Sequence, residues 1–219
     1  MTLPLTKPII YLITGGKTTP RTSSSSDEYH SILELAKAAV AAEIPLLQLR
    51  EKQLSARVLY QLTCDTVEIV RGTRTRVIVN DRADVAKAAA ADGVQLTAHS
   101  LKAGVVRKVY GDDFLIGVST HSLDEAVAGR HSSDFVLFGP IFDTPAKRDF
   151  GSPQGIQKLV RVSARLENFP VIAIGGVTVE NAGACFNAGA SGVAAISMLS
   201  DPTTLELTYQ RLKSEFPSP

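Results

Sequence analysis

Cysteine is scarce in this chain: two residues in 219, Cys64 and Cys185, both within helical patterns and without CxxC spacing. A disulfide framework or a structural zinc site is therefore not expected, which points to a reducing cytoplasm. An excess of one charge is equally lacking. Twenty-three Lys and Arg stand against 22 Asp and Glu, a formal net charge of +1, so no overall field draws the molecule to nucleic acid or to a membrane surface. No apolar run approaches the ~20 residues that cross a bilayer, and no apolar stretch follows a basic N-terminal region, so neither an anchor nor a secretory signal is expected. Nucleotide-binding signatures are missing too: the chain has no GxGxxG turn after its first β-type run and no GxxxxGK[ST] loop. No two of the four histidines have metal-ligand spacing. With 44% hydrophobic residues the chain can still bury a substantial core, so a soluble cytoplasmic protein is expected.

What is present is an alternation. Short β-branched apolar runs at 9–14, 46–50, 77–80, 93–96, 114–118, 135–138, 171–174 and 192–197 are separated by amphipathic or Ala-rich stretches at 27–42, 55–70, 82–91, 101–110, 123–129, 153–166, 179–188 and 202–215. Runs that are apolar throughout must be covered on both faces, which requires a parallel sheet wrapped by helices. Closing eight such strands predicts an α/β fold, a closed (β/α)8 TIM barrel forming a single domain over residues 1–219; an open doubly wound sheet is the alternative. Two connections exceed the minimum. Residues 15–26, with the run Ser23 to Ser26, read as a flexible Ser-rich flap or a plain insertion. Residues 139–154 carry Thr144, Lys147, Arg148 and Asp149 and suit a loop closing over an anionic ligand.

Polar residues gather where the apolar runs end, and in a barrel those ends share one mouth. Gln48 and Arg50 alternate inward along the second run; with Lys52 and Lys147 the arginine places three cations near the rim, which calls for an anionic ligand or a carboxylate partner such as Glu51. Asn80 and Asp81 offer oxygens suited to Mg2+, although Asp81 is equally placed to cap a helix starting at Arg82. His121 ends the fifth run, and an imidazole is a side chain that can give and take a proton near neutral pH; a role in capping the next helix is the plainer reading. Gly175 and Gly176 after the seventh run, together with Ile196 and Ser197 at the end of the eighth, form a candidate phosphate cup of backbone N–H groups.

Six segments in order, Leu49-Arg50-Glu51-Lys52, Val79-Asn80-Asp81-Arg82, Gly117 to Ser122, Gly139 to Phe142 with Thr144 to Lys147, Ala173 to Gly176 and Val193 to Ser197, resemble the motifs of the thiamine phosphate synthase/TenI superfamily over nearly the whole chain. The resemblance implies a barrel that binds thiazole phosphate. In the synthases this is coupled to hydroxymethylpyrimidine diphosphate with release of pyrophosphate. Arg50, Lys52, Asn80 and Lys147 would then hold the diphosphate, Asp81 would bind Mg2+, and the Gly176 and Ser197 loops would hold the thiazole phosphate. The chain departs from the synthase pattern after the fourth run, where Ser100 stands in place of a metal-binding Asp. Residues 93–139 and Ala146 resemble more closely the TenI branch, thiazole tautomerases that use the residue matching His121 as acid and base and need no metal. The resemblance also implies a homodimer.

On these grounds the first expectation is a TenI-like tautomerase with His121 as its proton-transfer residue and no cofactor. Thiamine phosphate synthase with Mg2+ is the close alternative, since Arg50, Lys52, Asn80, Asp81 and Lys147 are all retained. A third reading, a non-catalytic phosphate-ligand binder that regulates through a partner, finds no basic stripe or added interaction module to support it.

Overall fold

The computed structural model describes residues 7–143 and 152–217. Its eight strands, β1 (Ile9–Ile13), β2 (Leu46–Leu49), β3 (Arg76–Asn80), β4 (Gly93–Leu96), β5 (Leu115–Thr120), β6 (Phe135–Phe138), β7 (Val171–Ile174) and β8 (Gly192–Ala195), pair in parallel and in sequence order, and β8 closes on β1. The expected single-domain (β/α)8 barrel is therefore the fold, and the open sheet is excluded. Alternation along each strand sorts its side chains into two cores. Ile9, Tyr11, Leu46, Ile78, Leu115, Phe135, Leu137 and Ile172 fill the barrel interior. The opposite faces, such as Ile10, Leu12, Val77 and Val79, pack outward against the helices.

Those helices are α1 (Asp27–Ala41), α2 (Ala56–Val70), α3 (Ala83–Ala88), α4 (Ala103–Tyr110), α5 (Leu123–Gly129), α6 (Gly155–Arg165), α7 (Val179–Asn187) and α8 (Leu205–Ser214). Side-chain caps start three of them: Ser55 accepts from the Val58 N–H at 3.3 Å, Ser122 from the Glu125 N–H at 3.2 Å, and Thr178 and Asn181 form a capping box at α7, with Asn181 Oδ1 accepting from the Thr178 N–H at 2.8 Å. Several ends differ from the periodicity. The third helix stops at Ala88 because Ala90 turns left-handed (φ 57°), with the Ala91 N–H returning to the Ala86 carbonyl at 2.9 Å. The last strand stops at Ala195, and Ser197–Leu199 forms a 3-10 turn in place of strand.

Both cysteines are free, and burial pushes the Cys185 thiol up to about 12. Among the described residues no helix is long and apolar enough to cross a membrane.

Candidate active site

Strand parity decides which residues look into the barrel. Gln48, Asn80, Gln95, Ser119 and His121 share the inward face of Leu46, Ile78 and Leu115. Below the mouth these polar groups are joined across the barrel. The Gln48 amide donates to the Tyr11 hydroxyl at 2.7 Å, that hydroxyl faces Gln95 Oε1 at 3.4 Å, and the Gln95 amide donates to Ser119 Oγ at 3.1 Å. Burial pushes the Tyr11 phenol up, so it stays neutral and can donate. Gln48, placed at the site by sequence, is thus a 1% exposed member of a polar floor rather than an open rim group. Tyr11, Gln95 and Ser119 were not foreseen, though the inward parity of a glutamine in an otherwise apolar strand was the available signal.

The β1–β2 corner overturns one expectation. Glu51 pairs with neither neighbouring cation through a salt bridge; it turns inward, 3% exposed, and receives hydrogen bonds from Thr14 Oγ1 (2.5 Å), the Gly16 N–H (3.1 Å), Thr18 Oγ1 (2.7 Å) and the Thr18 N–H (3.4 Å). Thr14 Oγ1 in turn accepts from the Arg50 N–H at 2.8 Å. The loop over residues 15–26, read from sequence as a flexible flap or a plain insertion, meets this carboxylate through Gly16 and Thr18, and Thr18 and Thr22 are buried. Gly16 (φ 66°) lies so close to Arg50 that a Cβ there would stand 3.3 Å from the Arg50 carbonyl oxygen and 3.6 Å from its guanidinium. Arg50 is therefore held against the first loop at the mouth, and its guanidinium makes no ion pair among the described residues.

Beside it, Lys52, Asn80, Asp81, Thr97 and His99 line a cleft of about 300 Å3 between the ends of β2, β3 and β4. His99, passed over as a weak candidate, belongs to this wall. Asp81 does not cap the following helix. Arg82 occupies the N-cap position, and Asp81 sits exposed in the left-handed region (φ 64°) with its N–H bonded to the Gln95 carbonyl. A non-glycine residue held there costs roughly 1 kcal/mol or more and is turned toward the mouth side of the turn. Ser100, which replaces the expected second carboxylate, is engaged locally, accepting from the Thr97 N–H at 2.7 Å. Among the described residues no three His, Cys, Asp or Glu side chains gather as a metal cluster. One exposed carboxylate still fits Mg2+ when ligand phosphates supply most of its oxygens.

On the opposite rim the groups are mostly backbone. His121 lies outside the helix that Ser122 caps. Its N–H donates to Glu125 Oε2 at 2.7 Å, and its ring Nδ1 meets the Gly139 carbonyl at 2.6 Å. A carbonyl can only accept, so the proton of the neutral ring sits on Nδ1 and Nε2 is left as the working nitrogen. Gly175 (φ 97°) and Gly176 (φ 64°) are fixed by close approach: a Cβ on Gly176 would fall 2.7 Å from the Asp143 carbonyl oxygen and 2.8 Å from Phe142 Cβ. The glycines are thus required by packing against the β6–α6 loop, whatever they bind. The N–H groups of Gly176 and Val177 find no acceptor among the described residues, directly before the capped start of α7, where the helix dipole favours an anion. Ile196 half-covers the interior, with its Cγ2 3.9 Å from where a Gly15 Cβ would stand, and Ser197 is exposed. Thr144 and Lys147 lie outside the described residues.

The sequence matches the family described as Thiamine monophosphate synthase over residues 10–199. The chain belongs to that family. It is similar to the thiamine-phosphate synthases of Moorella thermoacetica (38% identity, 83% of this chain and 86% of the relative) and of Chlorobium phaeobacteroides (39%, 81% and 88%). Among solved structures it resembles the thiamine phosphate pyrophosphorylase of Pyrococcus furiosus, with a TM-score of 0.76, 26% identity and 94% of each chain covered. The family makes the chain an enzyme of thiamine biosynthesis. These relatives carry the synthase name, so they favour the alternative over the tautomerase expected first; the family match itself does not separate the two branches.

Proposed function

We propose that the protein is a thiamine-phosphate synthase, coupling hydroxymethylpyrimidine diphosphate to thiazole phosphate. The observation that carries this reading is 38–39% identity, over more than four-fifths of both chains, to relatives bearing that name. In the reaction the bond between the pyrimidine methylene carbon and the diphosphate oxygen breaks, its electron pair leaving with pyrophosphate. The thiazole nitrogen lone pair forms the new carbon–nitrogen bond. No proton is transferred.

The residues divide the task. Arg50, Lys52 and Asn80, with Lys147 from the β6–α6 loop, stabilise the departing pyrophosphate, which is where negative charge develops. Asp81 would hold Mg2+ together with diphosphate oxygens, and the ion when bound neutralises part of that charge. The N–H groups at Gly176 and Val177, backed by Ser197, take the thiazole phosphate on the other rim. The polar floor from Gln48 to Ser119 offers hydrogen bonds to a heterocycle seated between them.

A second reading, tautomerase, is favoured by two particulars: Ser100 in place of a carboxylate, and a His121 ring whose Nε2 is left available. Incubation with both synthase substrates and Mg2+ decides between them. Stoichiometric formation of thiamine phosphate and pyrophosphate is expected. Absence of product, with isomerisation of the thiazole carboxylate phosphate by the same preparation, would reverse the assignment.

A further inference from the structure

A further cavity lies at the other end of the barrel. A cleft of about 720 Å3 opens among the segments that lead into β1, β2, β3 and β4 and the last turns of α8. Active sites in this fold occupy the C-terminal face of the strands, so the mouth chemistry does not account for a cavity here. Its lining is charged in one sense. Among the described residues Lys7, Arg71, Arg74, Arg76 and Lys213 line it against Glu43 and Asp92, in a chain whose formal net charge is +1.

Two of these cations are already partnered: Arg76 with Asp92 at 3.1 Å, and Arg71 with Glu68 at 2.6 Å. Lys7, Arg74 and Lys213 have no ion pair among the described residues, although they come from three separate segments. Lys213 lies over the Tyr209 ring, 5.7 Å from its centroid, which fixes its stem beside the cleft. Lys7, Arg74 and Lys213 are all exposed at the cleft, and like charges facing one cleft repel one another, which an anion seated between them relieves. The cleft volume falls in the range of small-molecule sites and exceeds what one orthophosphate fills.

We infer that this basal cleft is a second ligand site, for a small diphosphate or polyphosphate, with Lys7, Arg74 and Lys213 as its charged contacts. Inorganic pyrophosphate in EDTA-containing buffer is the probe, followed by isothermal titration. In an Arg50→Ala/Lys52→Ala protein, which lacks cations of the mouth, one equivalent is expected still to bind. Adding Arg74→Ala and Lys213→Ala is expected to weaken that binding by about tenfold or more, the scale of losing charge-assisted hydrogen bonds. Arg74→Lys with Lys213→Arg is expected to retain most of it, which separates charge from folding. Loss of all binding in the mouth variant, or binding indifferent to the basal pair, would overturn the site. The synthase reading fails differently: wild-type protein would make no thiamine phosphate, while a single equivalent of pyrophosphate would bind regardless of Arg50 and Lys52.

Discussion

The two halves of the barrel mouth are built from different material. Around β1 to β4 the candidate groups are side chains, Arg50, Lys52, Asn80 and Asp81, beside a buried carboxylate, Glu51, that gathers the first loop. Around β5 to β8 they are chiefly backbone N–H groups beside one imidazole, and their placement depends on left-handed glycines wedged under the β6–α6 loop. The first half can change affinity or charge by point substitution while the chain path stays put. The second is part of the chain path, so altering it alters folding as well as binding. The proposed coupling, which expels a multiply charged pyrophosphate on one side and merely holds a phosphate on the other, suits this division: field strength is needed where charge develops, fixed geometry where it does not.

The comparison breaks most directly at Arg50. Arg50→Ala is expected to lower kcat/KM for coupling by about 10²–10³, the range for losing one donor to developing charge, with thermal stability nearly unchanged because the guanidinium makes no ion pair among the described residues. Glu51→Ala is expected next, at about 3 kcal/mol of unfolding free energy, since it strands Thr14, Thr18 and the Gly16 N–H without their acceptor. Its kinetic mark should be a raised KM for the diphosphate substrate with that for thiazole phosphate unchanged; Glu51→Gln, which keeps two oxygen-sized atoms but turns one into a donor, should fall between. Gly176→Ala should show the reverse split. A Cβ at φ 64° meeting the Asp143 carbonyl at 2.7 Å costs about 2 kcal/mol by denaturant unfolding, and KM should rise for thiazole phosphate alone. Equal changes in both KM values in either variant would show that the halves do not act separately.

Much of this was legible because parity and strand ends are local properties. Eight apolar runs gave the barrel, and polar residues at the downstream ends of those runs belong to one mouth, which drew attention to Arg50, Asn80 and His121. What was not legible depends on chain segments returning from afar. Glu51 sits between two cations in sequence, so pairing was the natural expectation; only the fold of residues 14–18 over it supplies four better hydrogen bonds. Asp81 matched an N-cap pattern, but the left-handed turn moves the cap to Arg82. The basal cations stand at positions 7, 74 and 213 with no pattern to join them. The branch of the family was harder to read: the loop with Ser100, residues 120–126 and 136–139 and Ala146 pointed to the tautomerases, whereas the relatives similar over the whole chain carry the synthase name and the family match does not separate the two.

His121 is where the comparison is sharpest and the expected effect smallest. Coupling moves no proton, so its imidazole can serve only by hydrogen bonding through Nε2 while Nδ1–H is held by the Gly139 carbonyl. His121→Ala is therefore expected to lower kcat for thiamine phosphate formation by less than about tenfold, the scale of one net hydrogen bond. His121→Gln, whose amide oxygen can restore an acceptor near that position, should recover part of the loss. A tautomerase would behave otherwise, because removing a general acid–base residue costs about 10²–10⁴ and a glutamine cannot shuttle the proton. A loss of that size in the coupling assay itself would mean that the imidazole meets the diphosphate or the reacting carbon, and that the β5 end belongs with the charged half of the mouth rather than the backbone half.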